Sequence, residues 1–310
     1  MSITTKIDNI THLKKEYRKQ ICPAPPSVKI ELSRACNFKC KFCSNDKLNG
    51  SKGRMDRDLY EQIIKELYEL GVNEIGMFYF GESFLNPYLE DAIRFAKKTG
   101  IAYTFLTTNG SLATPERVAA CMEAGLDSLK FSLNYSDAEQ FSEITGMNEK
   151  LFYTIIDNIK NAYKVRKEGG HNCGLFASYI MYDGEQQRKM ADIIEKLSPY
   201  LDEIYSLPLY SQASRITNDE WHFSAGNRGR HENLVEPLPC WALFQEAHVN
   251  FDGTLNACCF AVDDDFIMGD LREQRFMDAW NCSKFQELRN ANLEKNITGT
   301  PCENCVCRKQ

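Results

Sequence analysis

A run of three closely spaced cysteines is the part of this sequence with the clearest chemistry. Cys36, Cys40 and Cys43 are separated by three and then by two residues, and thiolates on such a loop are the usual ligands of an iron–sulfur cluster. Three thiolates leave one iron of a [4Fe–4S] cluster without a protein ligand, and an open position is typical of a catalytic metal site. The alternatives are a zinc knuckle and a ferredoxin-type electron carrier. Zinc would require a fourth cysteine or histidine nearby, and the next is Cys121, so the run favours a cluster with an open iron.

A second group of cysteines lies near the end of the sequence. Cys240 begins it, and Cys258 and Cys259 follow a predicted hairpin with an Asp-Gly turn. Cys302 and Cys305 are separated by two residues, which is typical spacing for metal ligands. Four thiolates would come from Cys240, from either Cys258 or Cys259, and from Cys302 and Cys305. Such a set suits either a second [4Fe–4S] cluster or a closed structural zinc site.

The elements that must position these cysteines alternate between strands and helices. The first predicted strand, 28–32, leads directly into the first cysteine run, and the sixth is 203–207. Alternation of this kind is typical of a parallel sheet with crossover helices, and six units are too few for the closed eight-unit barrel. We therefore predict an α/β fold, a partial (β/α)6 barrel with a small C-terminal domain that carries the second group of cysteines. The active site of such a fold lies at the carboxyl ends of the strands, where the cysteine loop falls.

The composition shifts along the sequence predict four divisions. They are a lead-in over 1–27, the partial barrel over 28–208, a linker that contributes to the substrate pocket over 209–239, and the domain with the second group of cysteines over 240–310.

Composition excludes several classes of protein. The net charge of −6 and the pI near 5.6 provide no basic surface for a nucleic-acid backbone. No apolar run reaches membrane-spanning length, and residues 1–20 lack the apolar core of a signal peptide. Thirteen cysteines without an export signal predict a cytoplasmic protein with metal-bound thiolates rather than disulfides. The isolated cysteines are predicted to be structural: Cys22, Cys121, Cys173 and Cys282.

The first cysteine run, with the aromatic Phe42 before its last cysteine, resembles the signature of the radical S-adenosylmethionine (SAM) superfamily. The resemblance implies that SAM binds the open iron through its amino and carboxylate groups. It also implies that the reduced cluster cleaves SAM to a 5′-deoxyadenosyl radical, which takes a hydrogen atom from an unactivated carbon. An electron donor such as flavodoxin or ferredoxin would reduce the cluster.

The same resemblance implies SAM contacts at the ends of the predicted strands. Gly81 and Glu82 follow the second strand and resemble the family's Gly-Gly-Glu motif, with Phe80 in place of the first glycine. The glutamate would receive the SAM amino group. Polar residues after the third and fourth strands would contact ribose and carboxylate, and an aromatic residue of the fifth would lie near adenine, although each is also a common turn or capping residue. These further contacts are Thr108, Asn109, Ser132, Asn134 and Tyr179.

The C-terminal cysteines, with Asp-Gly in the hairpin and Gly269-Asp270-Leu271 before a helix, resemble the "twitch" form of the SPASM domain, which holds one auxiliary [4Fe–4S] cluster. The resemblance therefore implies SAM and two [4Fe–4S] clusters as cofactors. Cys259 is spare in this pattern, and Cys307 is a substitute for the last ligand. The implied auxiliary ligands are Cys240, Cys258, Cys302 and Cys305.

The resemblance leaves more than one reaction open. The cysteine spacing is similar to that of the superfamily's inosamine dehydrogenases, which implies oxidation of an alcohol in a sugar or aminocyclitol, with the auxiliary cluster accepting an electron. Cys259 as a hydrogen donor would instead make the protein an epimerase, although a free cysteine is more often a small buried apolar residue. A peptide substrate also stays open. A two-cluster electron-transfer protein is the alternative to an enzyme, and Glu82 and the large barrel argue against it.

Overall fold

A nine-stranded sheet runs through the part of the chain that the structure describes. The structure is a computed structural model, and it describes residues 2–47, 52–180, 184–207, 238–259 and 264–303. The strands are β1 Ser27–Ile30, β2 Glu74–Gly76, β3 Tyr103–Thr108, β4 Ser128–Ser132, β5 Gly174–Ile180, β6 Glu203–Leu207, β7 Glu246–Val249, β8 Thr254–Asn256 and β9 Ile267–Asp270. The helices are α1 Ile3–Thr11, α2 Arg57–Glu69, α3 Leu89–Thr99, α4 Pro115–Glu123, α5 Ala138–Thr145, α6 Lys150–Glu168, α7 Gly184–Leu197, α8 Phe276–Trp280 and α9 Ser283–Leu293.

The first six strands form the predicted parallel sheet. Their order is β6-β5-β4-β3-β2-β1, and each neighbouring pair is parallel. Two helix starts carry signals that the sequence alone displays: Asp56 accepts hydrogen bonds from the first turn of α2, and Thr114 caps α4 ahead of Pro115. Both caps satisfy backbone N–H groups that have no partner within the helix.

The sequence predicts the second strand over 74–80, but β2 ends at Gly76. The chain then turns toward the loop that follows β1, where the Glu82 backbone N–H donates to the Ala35 carbonyl at 2.9 Å. The Met77 N–H still donates to the Phe105 carbonyl of β3 at 2.9 Å, and the segment beyond it contacts the cysteine loop.

Helix α5 was not predicted, although the sequence carries a signal for it. Asp137 accepts from the Gln140 backbone N–H, so a capping aspartate is followed three residues later by a glutamine, the pattern of a capping box. The carboxyl end of α5 supports the cysteine loop, since the Lys41 backbone N–H donates to the Ile144 carbonyl at 2.9 Å.

The C-terminal domain continues the barrel sheet. Strand β7 pairs with β1 in parallel, and β8 and β9 follow antiparallel. The predicted hairpin between β7 and β8 is confirmed, with Gly253 at φ +88° in its turn. Arg289, which is fully buried, lies over the Trp280 and Phe285 rings and donates to the Leu243 carbonyl at 2.8 Å.

Helix α1 gives part of the predicted lead-in a structural role. The Ile3 backbone N–H donates to Glu203 at 2.9 Å, and Lys6 pairs with Glu74 at 3.4 Å. Glu203 and Glu74 are the first residues of β6 and β2, so α1 lies across the amino-terminal end of the barrel. Within the described ranges, no helix has the length and apolar character needed to cross a membrane.

Candidate iron–sulfur and SAM site

The cysteine loop follows β1 and is held by backbone hydrogen bonds. The N–H groups of Phe38 and Asn45 point at the sulfurs of Cys36 and Cys43, each at 3.5 Å. Hydrogen bonds of this kind favour the thiolate form, which is the form that ligates iron. The donor set, three thiols in one loop at the carboxyl end of β1, therefore suits an iron–sulfur cluster.

Burial raises the pKa of the Cys36 thiol to about 11, and the Glu82 carboxylate adds to the shift. The thiol therefore keeps its proton at neutral pH when no metal is bound, and cluster loading must release it. In the part of the chain that the structure describes, no three His, Cys, Asp or Glu side chains already surround a common metal position. The loop thus supplies the donors, and the ligand set closes when the cluster binds.

Glu82 lies beside this loop and is 2 % exposed. Its Oε1 accepts from the Thr108 hydroxyl at 2.7 Å and from the Phe84 N–H at 3.0 Å, and its Oε2 accepts from the Asn109 N–H at 2.8 Å. Burial raises the pKa of the carboxyl group, and these donors oppose the shift. Oε2 keeps one lone pair for a further donor, so a single ammonium group would complete its coordination.

A small polar network joins the cysteine loop to the end of β3, and sequence reasoning missed two of its members. Asn37 accepts from the Asn109 amide at 2.9 Å and donates to the Ser111 hydroxyl at 2.9 Å. The Asn109 amide also lies against the Cys36 sulfur and lowers its pKa. The position of Asn37 inside the cysteine run was the available signal.

At Gly81, the loop that follows β2 packs tightly against the backbone of the cysteine loop that follows β1. A Cβ at this position would lie 1.8 Å from the Ser33 carbonyl oxygen and 2.9 Å from that of Ala35. Both are backbone atoms, so no side-chain rotation relieves the clash.

We expect Gly81→Ala to lose iron and to bind SAM about tenfold more weakly, because the two loops must separate. Iron content and equilibrium dialysis with SAM, after anaerobic reconstitution, measure both effects. Gly170→Ala is the matched control, since it has φ +65° and nothing within 4 Å of its Cβ. It should cost on the order of 1 kcal/mol of stability and leave iron and SAM binding intact. Normal SAM binding by Gly81→Ala would contradict the role of this contact.

The remaining predicted SAM contacts lie in different surroundings. Ser132 ends β4 on the same face as Lys130, and Asn134 follows it. Phe42 packs against the main core from the cysteine loop. Tyr179 also packs against the main core, on the opposite face of β5 from Phe176, which faces α1. Tyr179 therefore lies on the face of β5 away from α1, and its contact with adenine stays a prediction.

The auxiliary cysteines follow elements of the C-terminal domain. The Cys258 carbonyl, after β8, accepts from the Tyr79 hydroxyl at 2.6 Å and from the Asn256 amide at 2.9 Å. The Cys240 N–H donates to Asn292 at 3.1 Å. Cys302 follows α9, and Cys305 and Cys307 lie outside the described residues.

Tyr79 was not predicted as a site residue, yet it links the two halves of the site. It lies just before Phe80 and Gly81, and its hydroxyl contacts Cys258. Its ring lies 5.3 Å from that of His248. No spacing pattern in the sequence marks a tyrosine for such a role.

Cys259 lies beside a buried cluster of charged and polar side chains. Lys29 pairs with Glu246 at 2.6 Å, and His248 shares the same carboxylate oxygen at 2.9 Å. The Cys258 side chain lowers the pKa of the Cys259 thiol, burial opposes this, and His248 and Lys29 lower it further. Burial would raise the pKa of Glu246, but Lys29 and His248 bring it to about 2. Cys259 is thus partly buried in polar rather than apolar surroundings.

Comparison with known proteins agrees with this architecture. The Radical SAM superfamily matches residues 30–197, and the SPASM family, an iron–sulfur cluster-binding domain, matches residues 240–306. The chain belongs to the radical SAM superfamily and carries a C-terminal SPASM domain. Radical SAM domains use SAM and a [4Fe–4S] cluster, and SPASM domains bind additional iron–sulfur clusters, so the predicted cofactors are confirmed.

Among curated relatives, a tungsten-containing aldehyde ferredoxin oxidoreductase cofactor-modifying protein of Pyrococcus furiosus is 22% identical, over 90% of this chain and 86% of its own. A GTP 3′,8-cyclase of Chlorobaculum tepidum is 35% identical over 38% of this chain and 36% of the cyclase. The match to the cyclase thus spans less than half of either protein.

Solved structures share the fold over most of the chain. BtrN in complex with AdoMet and 2-DOIA aligns at a TM-score of 0.62 with 18% identity, over 91% of this chain and 92% of BtrN. Streptococcus suis SuiB bound to its precursor peptide SuiA aligns at 0.68 with 16% identity, over 98% of this chain and 72% of SuiB. The predicted fold class is therefore confirmed.

Proposed function

We propose that this protein oxidises an alcohol carbon of a small substrate, with the auxiliary cluster as electron acceptor. The observation that carries the proposal is the contact between the two cysteine sites. Tyr79, next to the Phe80-Gly81-Glu82 segment, donates to the Cys258 carbonyl at 2.6 Å, and β1 pairs directly with β7. An electron acceptor held in part by Cys258 would lie in the domain that contacts the segment carrying Glu82, and this contact supports removal of an electron from a substrate radical.

When bound, the catalytic cluster and SAM supply a 5′-deoxyadenosyl radical. Cys36, Cys40 and Cys43 would hold the catalytic cluster, and the C-terminal cysteines would hold the auxiliary cluster. Together these groups would supply acceptors for the one hydrogen atom and the one electron that the alcohol carbon must lose, together with one proton, to become a ketone. The residues of this chain orient the reactants: Glu82 offers one lone pair to the SAM amino group, and Asn109 holds the cysteine loop. A basic residue of the predicted linker over 209–239 would take the proton of the substrate hydroxyl, and only residues 238 and 239 of that linker lie among the described residues.

An epimerase is the second candidate, and one observation favours it. Cys259 lines a cavity in the barrel, where a thiol hydrogen could reach a substrate radical. A peptide substrate is supported by the likeness to SuiB, whose structure holds a precursor peptide.

An anaerobic screen for 5′-deoxyadenosine tests the proposal. The reduced holoenzyme is incubated with SAM and one candidate substrate at a time. The candidates are 2-DOIA, the ligand named for BtrN, neutral sugars and short peptides. We expect one class to raise 5′-deoxyadenosine above the level without substrate, with a product two hydrogens lighter. A rise with peptides alone would move the substrate to the peptide class, and failure to cleave SAM would support an electron-transfer protein instead.

Cys259→Ser separates oxidation from epimerisation. For a dehydrogenase we expect product within about threefold of wild type, since serine keeps the size of the side chain. An epimerase would instead form 5′-deoxyadenosine without product in this variant, and in deuterium oxide the wild type would give an epimer of unchanged skeleton with one carbon-bound deuterium. Mass spectrometry of the product measures both. Cys282→Ser is the control, because Cys282 caps α9, where serine is also a preferred cap.

A further inference from the structure

The barrel encloses a cavity of about 290 Å³. Ile3 and Ile7 of α1 line one end, at the amino-terminal side of the sheet, and Thr107 and Cys259 line the other. Thr107 precedes Thr108, which donates to Glu82. The cavity therefore extends from the closed end of the barrel to the side where the SAM residues lie.

Two lysines from the sheet also line this cavity. Lys29 is on β1 and Lys130 is on β4, and their ammonium groups lie 5.5 and 5.8 Å from the Phe78 ring centroid. Lys130 also lies 6.0 Å from the ring of Tyr205. Strands of parallel sheets are usually apolar on both faces, so lysines on two such strands distinguish this face from an ordinary apolar core.

The two lysines differ in their partners. Glu246 pairs with Lys29 at 2.6 Å, and Glu74 pairs with Lys6 of α1 at 3.4 Å, so each of these two lysines has a carboxylate partner. Lys130 has no carboxylate partner among the described residues; its contacts there are the faces of the Phe78 and Tyr205 rings. Aromatic faces attract a cation but do not cancel its charge, so a partly buried ammonium group retains the capacity to bind an anion.

We propose that this cavity binds an anionic group of the substrate, a carboxylate or a phosphate, with Lys130 as the binding cation. The inference rests on the proposed function, because it takes the cavity as the substrate site. A substrate anchored at Lys130 would extend its reacting carbon toward Thr107 and Cys259. The proposal narrows the substrate from the aminocyclitol type to a molecule with an anionic end.

Lys130→Met removes the charge and keeps much of the side-chain length. The reconstituted holoenzyme is titrated with inorganic phosphate or acetate against chloride at equal ionic strength, and the thermal midpoint reports binding. We expect phosphate, acetate or both to raise the midpoint of the wild type above chloride. In Lys130→Met the apparent affinity should fall about tenfold to a hundredfold, the effect of one charged hydrogen bond.

Two further variants sharpen the result. Lys130→Arg should keep the anion response, which separates the charge from the packing of the side chain. Lys65→Met is the matched control, since Lys65 also lies 5.5 Å from a ring, that of Phe95, but on the outer helix α2. It should respond to anions as the wild type does.

The outcomes are distinct. A response to phosphate alone assigns a phosphorylated substrate, and a response to acetate alone assigns a carboxylate. No anion response in the wild type, or an equal response in Lys130→Met, overturns the proposal. Binding is measured without turnover, so failure of SAM cleavage would count against the proposed function and leave this result unchanged.

Discussion

Replacement of Cys36 by alanine is expected to lower the iron content from about eight to about four per chain and to abolish 5′-deoxyadenosine formation. The reason is local. The sulfur of Cys36 receives the Phe38 N–H and lies against Asn109, so its loss opens the loop where the catalytic cluster binds. The auxiliary ligands belong to another domain, and their cluster should remain.

Iron, sulfide and zinc analysis after anaerobic reconstitution measures this effect. Cys121→Ala is the control, because Cys121 is buried in the core, in helix α4, and it should keep about eight irons. Four irons in the wild type, with bound zinc, would make the C-terminal site structural and remove the electron acceptor that oxidation requires. Unchanged iron in Cys36→Ala would contradict the assignment of the catalytic cluster.

Arg34→Met is expected to cost about 3–5 kcal/mol of stability, the usual penalty for leaving a buried charge unpaired. Glu31 is 0 % exposed, and Arg34 binds it through Nε at 3.0 Å and through a terminal nitrogen at 2.7 Å. Glu31 also accepts from the Phe251 N–H at 3.1 Å. The pair therefore joins the end of β1 to the C-terminal hairpin, directly below the cysteine loop.

This loss should depend on pH. Burial raises the pKa of the Glu31 carboxyl, and Arg34 opposes the shift; without Arg34 the pKa rises further. A carboxyl whose pKa is raised by folding destabilises the folded state above its ordinary pKa, so the deficit of Arg34→Met should shrink as the pH falls.

Denaturant unfolding at several pH values measures the deficit. Arg94→Met breaks a pair with Asp91 in which both side chains are about half exposed, and it should cost about 1 kcal/mol or less. The double variant Arg34→Met with Glu31→Leu should recover much of the loss, because no charge is left buried. Equal stability of the Arg34 and Arg94 variants would contradict this account.

Much of the fold was predictable because it depends on local signals. Asp56 and Thr114 cap helices with their own side chains, and alternating apolar segments define the parallel strands. The pairing of β7 with β1 was not predictable in this way, since it joins residues more than two hundred positions apart and is decided by tertiary packing. The same holds for the placement of α1 across the end of the barrel.

Some residues of the candidate site were also predictable from the sequence, and others were not. The cysteines and Glu82 stand in recognisable spacings, whereas Asn37, Tyr79 and Lys130 carry no such pattern. For Lys130 one signal was present. Residues 128–132 alternate polar and apolar side chains, and Lys130 lies at one of the polar positions. That alternation indicates a strand with one face toward a polar interior.

The position of β1 between β2 and β7 has a consequence for how the chain folds. Without the C-terminal domain, β1 would become an open sheet border with unpaired backbone groups flanked by the apolar Val28 and Ile30. Exposed borders of this kind pair with other chains. We therefore expect the C-terminal domain to protect β1 from pairing with other chains, and we expect a chain that lacks this domain to self-associate.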